Sequence, residues 1–244
     1  MSRFDLFRLT VRSFFVQTGW SYDRMIALGF VWILIPLTRK LCLSAQERRE
    51  FLKRHLESFN ANPYLAGYAA GAVTKLEEDR SPPEQIKRFK ESLRGPLGAL
   101  GDNLIWQNLR PALLILGLIL TGEYGLYGAL TFFVLFNCYQ IYIRARGTVQ
   151  GYRLGLRVCS DLARGHLQNV VKWSGRIGAG LLGFLFIREL SQPGMGPFQP
   201  DEAILLILFS LLSFWGFKKD KNPGLILLIF FASLILINVA VGLI

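Results

Sequence analysis

The chain is 244 residues long and 52% hydrophobic, with mean hydropathy +0.34, 28 Lys+Arg against 17 Asp+Glu, and a net charge of +11. Its apolar residues are gathered in blocks rather than spread at a regular period, which speaks against an ordinary soluble domain and for a membrane protein. The excess of base does not form a nucleic-acid face: 16 cations precede residue 109 mixed with 11 acids, and the rest lie in short tracts between apolar blocks, so no nucleic-acid partner is expected.

In chain order, MSRFDLFRLTVRSFF (residues 1–15) is basic and amphipathic. It lacks the apolar core and cleavage site of a signal peptide and is expected to remain on the mature protein. FVQTGWSYDRM (15–25) brings together Gln17, Trp20, Tyr22 and Asp23. This mixture of aromatic planes and hydrogen-bonding groups suits pyranose recognition, and it equally suits an interfacial belt. MIALGFVWILIPL (25–37) is too short to span a bilayer simply. Residues 44–58 read as a charged amphipathic helix opened by Ser44, with Glu47 three residues on at capping-box spacing. His55 is expected on the surface of that helix, because neither a second histidine nor a nucleophile motif lies near it.

FNANPY (59–64) places Asn60 and Asn62 before a proline. Asparagines cap helices and shape turns, and their amides also both donate to and accept from sugar hydroxyls. The next helix is expected to start with Pro63 at its first position and to pack closely through small residues at four-residue spacing, Gly67 and Gly71 among them. Glu77 and Glu78 read either as a solvated helix end or as a pair accepting bonds from a ligand. Pro82-Pro83 closes a polar linker before a helix over 84–93. In LRGPLGALGDNLIWQNLRP (93–111), Gly95-Pro96 is expected to turn the chain and Asp102 to cap a helix starting at Asn103. The alternative is a ligand site: Asp102, Trp106 and Gln107 at membrane depth are costly unless they face protein or water.

The apolar runs are 111–122, 126–143, 177–190, 203–217 and 223–244, and only the last is comfortably full length. If residues 1–108 are cytoplasmic, alternation puts seven cations in 144–176 and three in 218–222 on the same side, while 123–125 and 191–202 contain none. That obeys the positive-inside rule and puts the C-terminus outside. The expected fold class is an all-α integral membrane protein. Residues 1–110 form an amphipathic and re-entrant helical half carrying the polar motifs, and residues 111–244 supply about five hydrophobic helices that span wholly or in part.

Cys42, Cys138 and Cys159 show no CxxC spacing, and His55 and His166 are far apart, so no metal or other cofactor is expected. With no GxxxxGK[ST], GxSxG or HExxH, nothing argues for catalysis by this chain alone.

Taken in order, RSFFVQTGWSYDRMIALGF (12–30), RHLESFNANPYLAGYAAG (54–71), LEE (76–78), IKRFKESLRGPLGALGDNLIW (86–106) and GYRLGLR (151–157) resemble the IID component of the mannose/fructose/sorbose-type phosphotransferase system. The resemblance implies a bacterial inner-membrane sugar-permease subunit, surrounded by lipid and paired with a IIC subunit, in a higher oligomer of such pairs. It further implies that a hexose-type sugar binds near the shared region and is phosphorylated by way of separate IIA and IIB phosphocarriers. On that reading Asn60, Asn62, Glu77, Glu78, Asp102, Trp106, Gln107, Gln17 and Trp20 are the substrate-binding candidates. Arg94, Ala61, Gly98 and Ser21 depart from the family's usual residues, which leaves a structural or regulatory paralogue without transport as the alternative.

Overall fold

The structure, a computed structural model, describes residues 1–190, and the expected runs 203–217 and 223–244 lie outside the described residues. The regular elements described are all helical, and Met1–Leu185 form one compact unit.

Helix α1 (Arg3–Ser13) opens with a capping box in which Ser2 Oγ accepts from Asp5 N–H and the Asp5 carboxylate accepts from Ser2 N–H. That carboxylate also binds Lys40 Nζ at 2.6 Å, tying α1 to the last turn of α2 (Ala27–Leu41). The run 25–37 therefore builds core rather than spanning: Phe30, Ile33, Leu34 and Leu37 are buried. Helix α3 (Ala45–His55) is capped as expected by Ser44, which accepts from Glu47 N–H at 3.1 Å, but the Glu47 carboxylate reaches back to Leu43 N–H.

Two expected boundaries are corrected. Pro63 does not begin a helix; α4 (Ala66–Glu78) starts three residues later. The cause is local: Asn62 Oδ1 accepts from Tyr64 N–H and the Asn62 carbonyl accepts from Leu65 N–H, both at 3.0 Å, closing a turn first. Nor does Gly95-Pro96 turn the chain or a new helix start at Asn103. Helix α5 (Pro83–Gly101) contains Pro96 in its interior and runs on through a π-helical stretch, Asp102–Leu109, into α6 (Arg110–Tyr124). The widened turn places the Asp102–Leu109 side chains in a register that an α-helix would not give, a feature frequent at functional sites.

At Gly125, with φ +57, the chain reverses into α7 (Leu126–Leu154), a helix of 29 residues. The α6–α7 contact is close because at Gly128 a Cβ would lie 2.2 Å from Thr121 N. A single 3₁₀ turn and α8 (Val158–Arg164) lead into α9 (His166–Leu190), which covers the expected run 177–190. Pro83–Tyr124 and Leu126–Leu185 are long and apolar enough to cross a membrane.

At about 43 Å, α7 is longer than a hydrocarbon core of about 30 Å. Its first part, 126–143, carries no charge, and Arg144, Arg146 and Arg153 follow. The N-terminal helices assemble on this basic half. Gly67 of α4 meets Arg144 and Thr148 of α7, and Gly71 meets Thr148 and Gly151; a Cβ at Gly71 would lie 2.1 Å from Thr148 O, and one at Gly151 2.2 Å from Tyr68 O. The small-residue spacing thus marks a helix–helix contact, as the sequence indicated.

Candidate functional site

The two Gly/Asn-rich motifs meet. Asn62, buried on the turn before α4, donates from Nδ2 to Asp102 Oδ1 at 2.8 Å, while its Oδ1 is held by Tyr64 N–H. Both ends of the amide are fixed, so its orientation is set by the backbone. Gly101 makes the approach possible, since a Cβ there would lie 2.2 Å from the Asn62 Cβ. Asp102 itself is exposed at the start of the π-helical stretch, with Oδ2 free of any hydrogen bond among the described residues.

An aromatic residue follows each partner in the sequence, Tyr64 after Asn62 and Trp106 after Asp102. Tyr64 packs edge-on against Trp106 at 5.8 Å and Phe136 at 6.1 Å. Beneath it lies Arg144, 5% exposed, whose Nη1 donates to Ser13 O at 2.6 Å and Pro63 O at 2.9 Å and whose guanidinium faces the Tyr64 and Phe14 rings. Ser13 O belongs to the last turn of α1, where a cation is favoured by the helix dipole. Arg144 thus ties the end of α1, the Asn62–Pro63 turn and α7 together. The π-helical stretch is braced as well: Asn108 Nδ2 donates to Asn103 O and Oδ1, and a Cβ at Gly175 of α9 would lie 2.5 Å from Asn108 Oδ1.

The remaining candidates fall elsewhere. Glu77 is buried and accepts three bonds: Arg54 Nε and Nη2 at 2.7 Å each, and His55 Nε2 at 2.9 Å. Burial opposes its charge, but the bonds from His55 and Arg54 prevail and hold the carboxyl at about 2. Glu78 accepts from the Met1 nitrogen at 2.6 Å and from the Tyr152 hydroxyl. No hydrogen bond or ion pair joins either glutamate to Asn62 or Asp102 among the described residues. Asn60, Gln17, Trp20 and Gln107 are exposed and make no side-chain hydrogen bond among the described residues.

His55 is a correction: it is fully buried, not on the helix surface. Its ring sits between Phe30 and Phe51, and Nδ1 has no partner. Burial pushes its pKa down to about 4 despite the Glu77 bond, so the ring is neutral and donates from Nε2. The surface expectation rested on the lack of a second histidine or nucleophile motif, which says nothing of burial; α2 packs on α3, and Glu77 of α4 bonds the ring. Arg54 and Arg144 were absent from the candidate set. The one signal for Arg144 was its place as the first charge after the uncharged run 126–143.

These features define an α-helical membrane protein in which a polar pair, backed by aromatic rings and a buried arginine, sits where an apolar helix hairpin meets a basic helical layer. Comparison with known proteins narrows that class. Residues 1–191 match the model of the PTS system mannose/fructose/sorbose family IID component, and the chain belongs to that family. It is 29% identical over 259 residues to the mannose-specific EIID component of Escherichia coli K12, covering 95% of this chain and 91% of that one. It is 30% identical over 252 residues to the fructose permease IID component of Bacillus subtilis 168, covering 93% and 92%. The sorbose-specific EIID component of Lacticaseibacillus casei is 32% identical over 186 residues, covering 74% and 66%. A chain from a cryo-electron microscopy structure of the mannose transporter ManYZ with microcin E492 superposes with TM-score 0.61 at 28% identity, covering 96% of this chain and 95% of that one. The protein is therefore a membrane component of a phosphotransferase-type sugar transporter.

Proposed function

We propose that this chain pairs with a IIC subunit, in a higher oligomer of such pairs in the bacterial inner membrane, and supplies part of the wall of a hexose site. The observation that carries the reading is the 2.8 Å bond from Asn62 to Asp102, which joins the two polar motifs at the edge of the apolar hairpin. Asp102 Oδ2 is a free acceptor four residues before Trp106 in the same π-helical stretch, and a carboxylate with a ring suits a sugar hydroxyl above an apolar sugar face. The relatives' names support the sugar class, since mannose, fructose and sorbose are all hexoses.

Asn60, Gln107, Gln17 and Trp20, being exposed, are the groups a sugar or the IIC surface would meet next. Glu77 and Glu78 hold α4 to α3, the N-terminus and α7, and their contribution to sugar binding is indirect. The phosphoryl group comes from a separate IIB component charged by IIA, which agrees with a neutral, buried His55. The N-terminus is cytoplasmic and the C-terminus outside. Residues 1–110 carry the site motifs and 111–244 the membrane-spanning part.

The test is phosphoenolpyruvate-dependent hexose phosphorylation by membranes containing all components, with Asn62→Ala and Asp102→Ala. Both variants are expected to lose activity while IIC remains bound. Full activity in both removes the pair from the site, and a complex that binds no sugar in any form favours the structural paralogue.

A further inference from the structure

Helix α1 has an inverted distribution of side chains for a protein surrounded by water. Its buried side is Asp5, Leu9, Thr10 and Ser13, whereas Phe4, Phe7 and Val11 stand outward at 65%, 61% and 43% exposure. Helix α2 extends this outward surface with Leu28 and Trp32, and Phe15, two residues past the end of α1, is 53% exposed. The two stripes are joined at Arg12, whose guanidinium lies 4.2 Å from the Trp32 ring centroid and donates to Trp32 O at 2.8 Å. An aromatic surface of this kind needs an apolar cover.

Depth is fixed by Arg144. The end of α1 is bonded to Arg144 through Ser13 O, and Arg144 is the first charge after the uncharged run 126–143 of α7. The Arg12–Trp32 junction, next to Ser13, therefore lies where the apolar span ends. The Met1 nitrogen meets Tyr152 at 3.0 Å, eight residues or about 12 Å further along α7, so α1 slopes outward from that level. Charge selects the cover: Arg3, Arg8, Arg12 and Arg39 border the face, and none pairs with a carboxylate among the described residues. Aromatic side chains with unpaired arginines at headgroup level are complementary to lipid phosphates.

We propose that the α1–α2 face lies in the headgroup layer on the basic side of the membrane and binds anionic phospholipid, the aromatic rings entering the acyl boundary and the arginines meeting headgroup phosphates. This rests on the membrane placement of the chain and not on the sugar reading.

The test uses the full chain, assembled with its IIC partner, in vesicles of phosphatidylglycerol and phosphatidylcholine. The native cysteines are replaced by serine, and a spin label is attached at Phe7→Cys or Phe15→Cys, with Arg49→Cys as the aqueous reference. The expected result is an oxygen-to-nickel-chelate collision ratio about fivefold above the reference at both positions, with Phe15→Cys deeper than Phe7→Cys. Removal of phosphatidylglycerol, or the triple variant Arg3→Gln, Arg8→Gln, Arg39→Gln, should move the Phe7→Cys label toward water. A ratio equal to the reference overturns the proposal. So does shielding from both reagents, which would mean that protein covers the face, and so does a ratio indifferent to anionic lipid. Sugar phosphorylation measured on the same vesicles reports separately on the sugar reading.

Discussion

Gly101 and Asn62 touch so closely that the position tolerates no side chain: a Cβ on Gly101 would lie 2.2 Å from the Asn62 Cβ and 2.4 Å from its Cγ. Gly95, six residues earlier in the same helix, has nothing within 4 Å of such a carbon. Gly101→Ala is therefore expected to push Asn62 off Asp102, lowering stability by about 1–3 kcal/mol, whereas Gly95→Ala should be neutral or stabilising by up to about 1 kcal/mol. Melting temperatures of the two variants in detergent check this, and equal values would contradict the close approach.

Arg144 bonds two carbonyls, and without it Ser13 O keeps only the 3.3 Å bond from Val16 N–H. Arg144→Met leaves Pro63 O without the Arg144 bond and Ser13 O with the weaker one alone, at a cost of about 1–3 kcal/mol. Arg144→Lys keeps the charge but loses the planar fork between Phe14 and Tyr64, and an intermediate loss is expected. The melting temperature should fall in the order wild type, Lys, Met.

Acid should loosen the α3–α4 junction in two stages. An unfolded histidine takes up a proton near pH 6.5, while His55 in the fold resists it to about 4. Stability is thus complete above 6.5 and falls by about 3 kcal/mol as pH drops from 6.5 to 4. Glu77, lowered from 4.5 to about 2, adds its own loss only below 4.5. His55→Gln keeps an amide donor toward Glu77 and is expected to flatten the upper stage. Melting curves from pH 7.5 to 4 test it; an unchanged slope would show that another group titrates.

The α4–α7 contact predicts a third mutational pattern. Gly71→Ala and Gly151→Ala each place a carbon about 2 Å from backbone oxygen of the opposing helix, and each should cost about 1–3 kcal/mol. Because both load the same interface, the double variant should fall short of the sum, which a double-mutant cycle measures.

Much of this was legible in the sequence, for reasons particular to each residue. Segregated apolar runs read as α6, α7 and α9 because hydropathy reports burial in lipid without needing a partner helix. Ser44 and Glu47 read as a helix start because capping is local. The boundary at Pro63 was misplaced because the Asn62 side chain closes a turn that composition does not distinguish from a helix start. The run through Gly95-Pro96 was misread because a proline inside a helix carries the same sequence signal as one in a turn. His55 and Glu77 needed tertiary knowledge: their pairing spans 22 residues, and burial from α2 and α4 leaves no trace in the α3 sequence. The Asn62–Asp102 pair joins motifs 40 residues apart; each was singled out, but the bond between them is visible only in the fold.

The most direct test of the sugar site is hexose affinity of the purified IIC–IID complex with Asp102→Asn, which keeps the shape and the acceptor toward Asn62 but removes the charge. The account predicts that the dissociation constant rises about tenfold or more, the loss expected for one charge-assisted hydrogen bond, with the melting temperature of the sugar-free complex unchanged. An unchanged dissociation constant would contradict it.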